Sequence, residues 1–247
     1  MKCIGFVGNI DKTELVMYVS KVLAQLGKKT IFIDATTNQK TRYIIPTIGN
    51  MEEQNQYVVE HDGVEFAIGF SNMLELKKYF LSKGEDFTEF EYVLVDADTN
   101  EMCEEYDLKS ANNLFFVSSY DKYHILKSIE LLKYMCAAKR SVDTEAQLVL
   151  TKLLYYSDVN TADSQYIDIL VENLPLLWAH NTINFPYDQG DLSVNIQNQY
   201  SRKIDFRALS KMYKEAVVEV VSVVTGDEKS ALRKVVKNIE NTAKFSR

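Results

Sequence analysis

The stretch that decides the fold stands at the beginning of the sequence, where residues 2–13 read KCIGFVGNIDKT. The apolar run at 2–7 predicts a short buried strand, and Gly8 predicts a loop directly after it. Residues 12–26 repeat leucine and valine at helical spacing, and a second apolar run at 30–34 ends in an aspartate. A strand, a loop, a helix and a second strand in this order predict two parallel strands joined by a right-handed crossover.

The same alternation of strand and helix patterns continues along the rest of the chain. Further strands are predicted at 91–96, 114–118, 146–150 and 181–185, with a hairpin or two short strands at 57–70. Helices are predicted at 72–82, 120–138, 164–170 and 201–224. We therefore predict an α/β fold with a doubly wound, mostly parallel sheet and helices on both faces.

Length and composition are those of one large globular domain. The chain has 247 residues, of which 46% are hydrophobic and 26% are charged, so it can bury a sizeable core. Its cysteines and histidines are few and scattered, which argues against structural zinc and a disulfide framework and favours a cytoplasmic location. No apolar run reaches the ~18 residues that a membrane span needs. The net charge of −7 argues against direct DNA binding.

The charge is distributed unevenly, because residues 229–247 carry six basic side chains and one glutamate. We predict a basic amphipathic C-terminal helix at 227–247, appended to a main domain at 1–226. Its apolar residues fall at helical spacing: Leu232, Val235, Val236, Ile239 and Ala243. Such a helix either packs on the body of the protein, the interpretation that we favour, or makes a peripheral contact with an anionic membrane.

The loop between the first strand and the first helix has the placement of a phosphate-binding loop. Backbone N–H groups and the helix N-terminus can cradle phosphate, Lys12 can reach the terminal phosphates, and the Thr13 hydroxyl can bind Mg²⁺. Asp11 stands where such a loop has a glycine, and its carboxylate would repel phosphate. The alternative interpretation makes Asp11 the N-cap of an ordinary helix.

Five segments in order along the chain resemble the motifs of the ParA/MinD family of P-loop ATPases, which includes the TadZ, CpaE and FlhG proteins. They resemble, in turn, the deviant phosphate loop, the strand ending in Asp-x-Asp, the Walker B strand, the strand that ends near the adenine and an Ile-Pro-Tyr-Asp segment. The corresponding residues are Val7–Thr13, Ile33–Gln39, Tyr92–Asp96, Leu148–Lys152 and Ile183–Asp188. The resemblance covers residues 1–225.

The resemblance implies a nucleotide site and an oligomer. ATP or ADP with Mg²⁺ would bind through a set of eight residues: Gly8, Asn9, Ile10, Asp11, Lys12, Thr13, Thr151 and Pro186. Thr13 and Asp96 would hold the metal, and Lys12 and Asp34 would take part in catalysis. A homodimer and an unidentified protein partner are also implied, because family members dimerise and engage a partner to position plasmids, division sites, pili or flagella.

The departures from the family pattern all fall at positions that bind nucleotide or take part in catalysis in the family. The lysine that crosses the dimer interface in the family is Val7 in this chain, and two of the loop glycines are Asn9 and Asp11. The second acid of Asp-x-Asp is Thr36, and the adenine-contacting asparagine is Thr151. Phosphoryl transfer depends on positioning and on stabilising developing charge. We therefore expect hydrolysis to be weak or lost.

Three functions remain open at this point. We favour a spatial organiser or scaffold with an eroded ATP site, which acts through dimerisation and partner binding to position a plasmid, pilus, secretion or division machine. The alternative is an active Mg-ATP-dependent ATPase switch of the same family, built on Lys12, Thr13 and Asp96. A ligase similar to dethiobiotin synthetase ranks last, because neither an intact phosphate loop nor a second substrate site is evident in the sequence.

Overall fold

The computed structural model describes residues 1–46, 55–158 and 165–242. Its strands are β1 (Lys2–Val7), β2 (Thr30–Ala35), β3 (Tyr57–His61), β4 (Val64–Ile68), β5 (Tyr92–Ala97), β6 (Asn113–Ser119), β7 (Leu148–Tyr155), β8 (Leu176–Trp178) and β9 (Ile183–Phe185). Its α-helices are α1 (Thr13–Gln25), α2 (Thr41–Ile44), α3 (Met73–Lys83), α4 (Asn100–Glu105), α5 (Lys122–Arg140), α6 (Tyr166–Val171), α7 (Gln189–Ser201), α8 (Lys211–Thr225) and α9 (Lys229–Thr242).

The strands of the described residues form one sheet in the order β3-β4-β2-β5-β1-β6-β7-β8, and β9 also pairs with β7. Every pairing is parallel except that of β3 with β4. The predicted doubly wound, mostly parallel sheet is therefore confirmed. At its centre, Val7 stands beside Ala97, and Asp34 stands beside Asp96. The ends of β1, β2 and β5 thus meet at the edge where such sheets bind ligands.

Helices cover both faces of the sheet because the central strands are apolar on both faces. β2 and β5 are buried at every position, and successive side chains of a strand point to opposite faces. Phe32 and Leu94 therefore pack into one core, with α1, α8 and α9, while Ile33 and Val95 pack into the other, with α3 and α5.

The predicted helix at 201–224 is wrong in its first part. α7 ends at Ser201 and α8 begins at Lys211. Between them, three side chains are buried at a spacing that does not fit one helix face: Ile204, Phe206 and Leu209. Ser210 is the N-cap of α8, and its hydroxyl accepts the N–H of Tyr213 at 3.1 Å.

The sequence pattern does not predict α7 or β8, and it ends the strand that begins near residue 148 too early. β7 continues to Tyr155, and most of its residues after Leu150 are buried. The prediction did not assign these residues to the strand. α7 was not predicted, although three of its apolar residues stand four positions apart, at helical spacing, and all three are exposed: Leu192, Ile196 and Tyr200. Asp188, whose carboxylate accepts the N–H groups of Gly190 and Asp191, was the available signal for this helix.

The helix α9 packs on the body of the protein against α1 and α8. Its buried residues are Leu232, Val236 and Ile239. Two of its basic side chains pair with acids of α8, Lys229 with Glu219 and Arg233 with Glu215. The rest of the predicted C-terminal helix, including Ala243, lies outside the described residues. None of the helices that the structure describes combines the length and the apolar character that crossing a bilayer requires.

Candidate functional site

A cleft of about 470 Å³ opens at the carboxyl ends of β1, β2 and β5. The loop after β1, the loop after β2, the end of β5 and the first turn of α5 form its walls. It brings together six of the predicted site residues: Asn9, Ile10, Asp11, Lys12, Thr13 and Asp96. The other four predicted residues are not part of its lining: Gly8, Asp34, Thr151 and Pro186.

Gly8 lets the loop after β1 pass close to β6. A Cβ atom at Gly8 would lie 1.9 Å from the carbonyl oxygen of Val117, and the residue has a φ of +152°. Beyond it, the backbone N–H of Asn9 donates to the hydroxyl of Ser128 on α5 at 2.9 Å. The loop is therefore fastened to β6 and α5 at its beginning, and only glycine fits there.

The Lys12 side chain is turned into the protein. Its Nζ lies 2.6 Å from Oδ1 of Asp96 and donates to the carbonyl oxygen of Gly8 at 2.9 Å. Both charged side chains are buried, with exposed fractions of 1% and 0%. Burial raises the pKa of Asp96 to about 7, although the Lys12 ammonium opposes that change. The lysine is thus engaged by the chain's own groups.

Thr13 and Asp96 meet at the base of the cleft. The Thr13 hydroxyl donates to Oδ2 of Asp96 at 3.5 Å, while Oδ1 of Asp96 lies 2.6 Å from the Lys12 ammonium. Hydroxyl and carboxylate oxygens are suitable ligands for Mg²⁺. The described residues contain no group of three or more His, Cys, Asp or Glu side chains placed to hold a metal. These two residues could therefore hold Mg²⁺ only together with ligand oxygens and water.

The alternative interpretation, in which Asp11 is the N-cap of α1, is wrong by one residue, because the N-cap is Lys12; the Asp11 carboxylate nevertheless engages the start of the helix. Its Oδ1 accepts the backbone N–H of Thr13 at 3.2 Å. Its Oδ2 lies 2.6 Å from Nζ of Lys40, which also lies 2.5 Å from Oε1 of Glu14. Gln199 of α7 donates to the same glutamate oxygen at 2.6 Å. The Asp11, Lys40, Glu14 and Gln199 side chains therefore form one polar network beside the loop.

Asp34 is buried behind the cleft and holds the loop after β2. Its Oδ1 accepts the hydroxyl and the N–H of Thr36 at 2.6 and 3.2 Å, and its Oδ2 accepts the N–H of Thr41 at 2.9 Å. These bonds use both carboxylate oxygens within the loop. Asp34 lies beside Asp96 in the sheet, but its hydrogen bonds hold the chain between β2 and α2, and its side chain is not part of the cleft lining.

Thr151 belongs to β7 and Pro186 follows β9, and β6 separates these strands from β1. Thr151 is buried in the middle of β7, paired with Phe115 of β6. Pro186 directly follows β9. The next residue of β7, Lys152, lies 2.6 Å from Asp168 and over the ring of Trp178. A nucleotide contact by Thr151 and Pro186 remains a prediction.

Several residues of the cleft were not predicted. Lys40 directly precedes α2, Tyr43 lies in α2, and Tyr123 comes from the first turn of α5. No motif includes them, and the only signal in the sequence was that each lies in the segment that follows a predicted strand. Asp98, which follows β5, also lines the cleft, and it accepts the N–H and the hydroxyl of Thr37 from the loop after β2.

Neither a protein-family model nor a curated protein matches this sequence. Solved structures do resemble it. The MinC:MinD cell division complex of Aquifex aeolicus matches at 14% identity over 92% of this chain and 97% of that one, with a TM-score of 0.56. A plasmid partition protein of Borrelia burgdorferi bound to AMPPNP matches at 12% identity over 89% and 97%, with a TM-score of 0.55. The pNOB8 ParA bound to nonspecific DNA matches at 14% identity over 92% and 99%, with a TM-score of 0.52.

The chain has the MinD/ParA fold. Within this MinD/ParA fold, Thr13 and Asp96 have the chemistry to hold Mg²⁺. The donors that phosphate would need already have partners within the chain: the Thr13 N–H donates to Asp11, and Lys12 is paired with Asp96. Thr13 and Asp96 could therefore take part in holding a Mg-nucleotide only together with ligand oxygens and water. A phosphate could reach the Thr13 N–H only after Asp11 has moved aside.

Proposed function

We propose that the protein is a MinD/ParA-like spatial organiser that works through self-association and a protein partner, and that its nucleotide site is eroded. The observation that carries the proposal is the state of the phosphate loop. Asp11 accepts the Thr13 N–H at the beginning of α1, where a phosphate would otherwise be the acceptor. The chain's own carboxylate therefore competes directly with the ligand.

The position of Lys12 supports the same proposal. To reach a phosphate in the cleft, its ammonium has to leave Asp96 and the Gly8 carbonyl. Removing one partner of a buried ion pair leaves an uncompensated charge, which is costly. Bound Mg²⁺ would neutralise Asp96 and supply charge stabilisation for phosphoryl groups. Without it, this cost weakens nucleotide binding.

The proposed output is contact with other proteins. The structures that share the fold include a complex of MinD with MinC and a plasmid partition protein. We leave direct DNA contact out of the proposal, although pNOB8 ParA is bound to DNA in its structure. The reason is the net charge of −7, which opposes association with a polyanion.

Titration calorimetry of ATP and ADP with Mg²⁺ tests the eroded site, with wild type and Lys12→Ala side by side. We expect no binding by wild type at micromolar concentrations and, at most, weak binding near millimolar, with negligible ATP turnover. Micromolar binding together with turnover that is lost in Lys12→Ala would overturn the proposal. Thermal unfolding of Lys12→Ala in parallel establishes that this variant is folded.

One observation favours the active ATPase switch as the second candidate. Lys12, Thr13 and Asp96 are close together at the base of the cleft, as a working Mg-ATP site would need. In that case, Asp96→Asn would lower Mg-ATP affinity by much more than the affinity for metal-free ATP. Equal affinities of wild type with and without Mg²⁺ would exclude this candidate.

A further inference from the structure

The carboxylate of Asp11 holds both kinds of donor that a phosphate would use in this cleft. Its Oδ1 accepts the backbone N–H of Thr13 at the N-terminus of α1. Its Oδ2 lies 2.6 Å from Nζ of Lys40, which approaches from the loop after β2. Helix N-termini and lysine ammonium groups are common donors to phosphate in proteins. The loop therefore carries an anion of its own where a ligand would need the same donors.

Lys40 is a charged residue already placed on the wall of the cleft. Glu14 also lies 2.5 Å from its Nζ, and only 26% of the lysine side chain is exposed. Burial lowers the pKa of Lys40, but the Glu14 and Asp11 carboxylates outweigh burial, so that the pKa is raised overall. The lysine stays charged, and its charge is used internally.

A separate feature also points to a ligand in this cleft. Asp96 is fully buried yet forms part of the lining, and its Oδ1 lies 2.6 Å from the Lys12 ammonium. A buried carboxylate needs a compensating cation. A cation that enters with a phosphorylated ligand would take over this role and free Lys12 for the ligand.

We infer that Asp11 is an internal competitor for phosphate, and that Lys40 binds the phosphate of a nucleotide or another phosphorylated ligand once Asp11 is displaced. This inference rests on the proposed function, because it concerns the same cleft. It accounts for an eroded site by one added carboxylate, which blocks two donors and repels an anionic ligand. It also assigns phosphate binding to a lysine of this chain, Lys40, although the family's bridging lysine is replaced by valine at position 7.

The first test removes the charge of Asp11 and measures the binding of Mg-ATP and of inorganic phosphate by titration calorimetry. We expect Asp11→Asn and Asp11→Gly to bind at least about tenfold more tightly than wild type. Each substitution removes a negative charge that repels the phosphate, in a site where solvent screens charges only in part. Asp98→Asn is the matched control. It removes one negative charge from the same cleft, but the Asp98 hydrogen bonds go to Thr37.

The second test asks whether the gained affinity depends on Lys40. We expect Asp11→Asn combined with Lys40→Met to return to the wild-type affinity, while thermal unfolding shows that the double variant is folded. Three results would each overturn the inference: equal affinity of Asp11→Asn and wild type, equal gains for Asp11→Asn and Asp98→Asn, or a gain that survives Lys40→Met. Tight ATP binding by wild type overturns only the eroded site, because this inference is decided by the ratios between variants.

Discussion

Gly8 is the residue of the loop at which a single methyl group meets rigid backbone. A Cβ there would lie 1.9 Å from the carbonyl oxygen of Val117. We expect Gly8→Ala to lower the free energy of unfolding by about 3 kcal/mol, because β6 cannot move aside without breaking sheet pairing. Urea unfolding measures this value.

Gly27 provides the control for that substitution. It also has a positive φ, of +76°, but a Cβ there would have nothing within 4 Å. Gly27→Ala should therefore cost only about 1–2 kcal/mol, the cost of the left-handed backbone alone. Equal losses in the two variants would contradict the close contact between the loop and β6.

Asp96 should make the stability of the protein depend on pH. Burial raises its pKa from 3.8 to about 7, so between these values the folded state binds more protons than the unfolded state. The contribution of this group to the free energy of unfolding therefore falls as the pH rises from about 4 to about 7. The stability of wild type relative to Asp96→Asn should fall over that range. Urea unfolding at a series of pH values measures it. A relative stability that is flat for Asp96→Asn would show that the buried pair does not titrate in this range.

At the scale of elements, α9 should contribute to stability through its packed face. Leu232 is fully buried against the core that contains α1 and α8. Leu232→Ala should lower the free energy of unfolding by about 2–4 kcal/mol, because it leaves a cavity. Lys234→Ala, on the exposed side of the same helix, should change it by less than about 0.5 kcal/mol. Similar values in the two variants would mean that α9 is not docked in solution.

The same packing leads to a prediction about membranes. The three buried residues of α9 are the ones that would have to enter a lipid surface, and two of its basic side chains are paired with α8. We expect the full chain not to float with anionic vesicles above the level seen with neutral vesicles. Anionic-specific flotation that is lost on reversing the charges of Lys234 and Lys237 would show that α9 detaches.

At the scale of the whole molecule, we expect a homodimer that does not depend on nucleotide. Val7, which stands where the family has its bridging lysine, is buried in β1 between β5 and β6 and cannot reach a second subunit. Sedimentation velocity should give the same dimer fraction with and without Mg-ATP. A dimer that forms only with Mg-ATP would contradict this expectation and favour the ATPase switch.

Particular elements show how far the sequence predicted this molecule. The first strand, loop, helix and second strand were predicted almost to the residue, because each rests on a local apolar pattern bounded by a glycine or an acid. The helix at 201–224 was not, because its first part is held by buried side chains rather than by helical hydrogen bonds. Of the site, the loop and Asp96 were predicted from motif position, whereas Lys40 was not.

The sequence by itself determined the α/β fold and the place of the cleft, since apolar periodicity and the positions of strand ends are properties of neighbouring residues. Only the tertiary structure decided which of the chain's own groups pair with one another in and around the cleft. Asp11 meets Lys40 across 29 positions of sequence, and Glu14 meets Gln199 across 185. Contacts over such separations depend on how the sheet brings its loops and helices together. For this reason the carboxylate that could only be suspected in the sequence is found, in the folded chain, between the two donors that a phosphate would use.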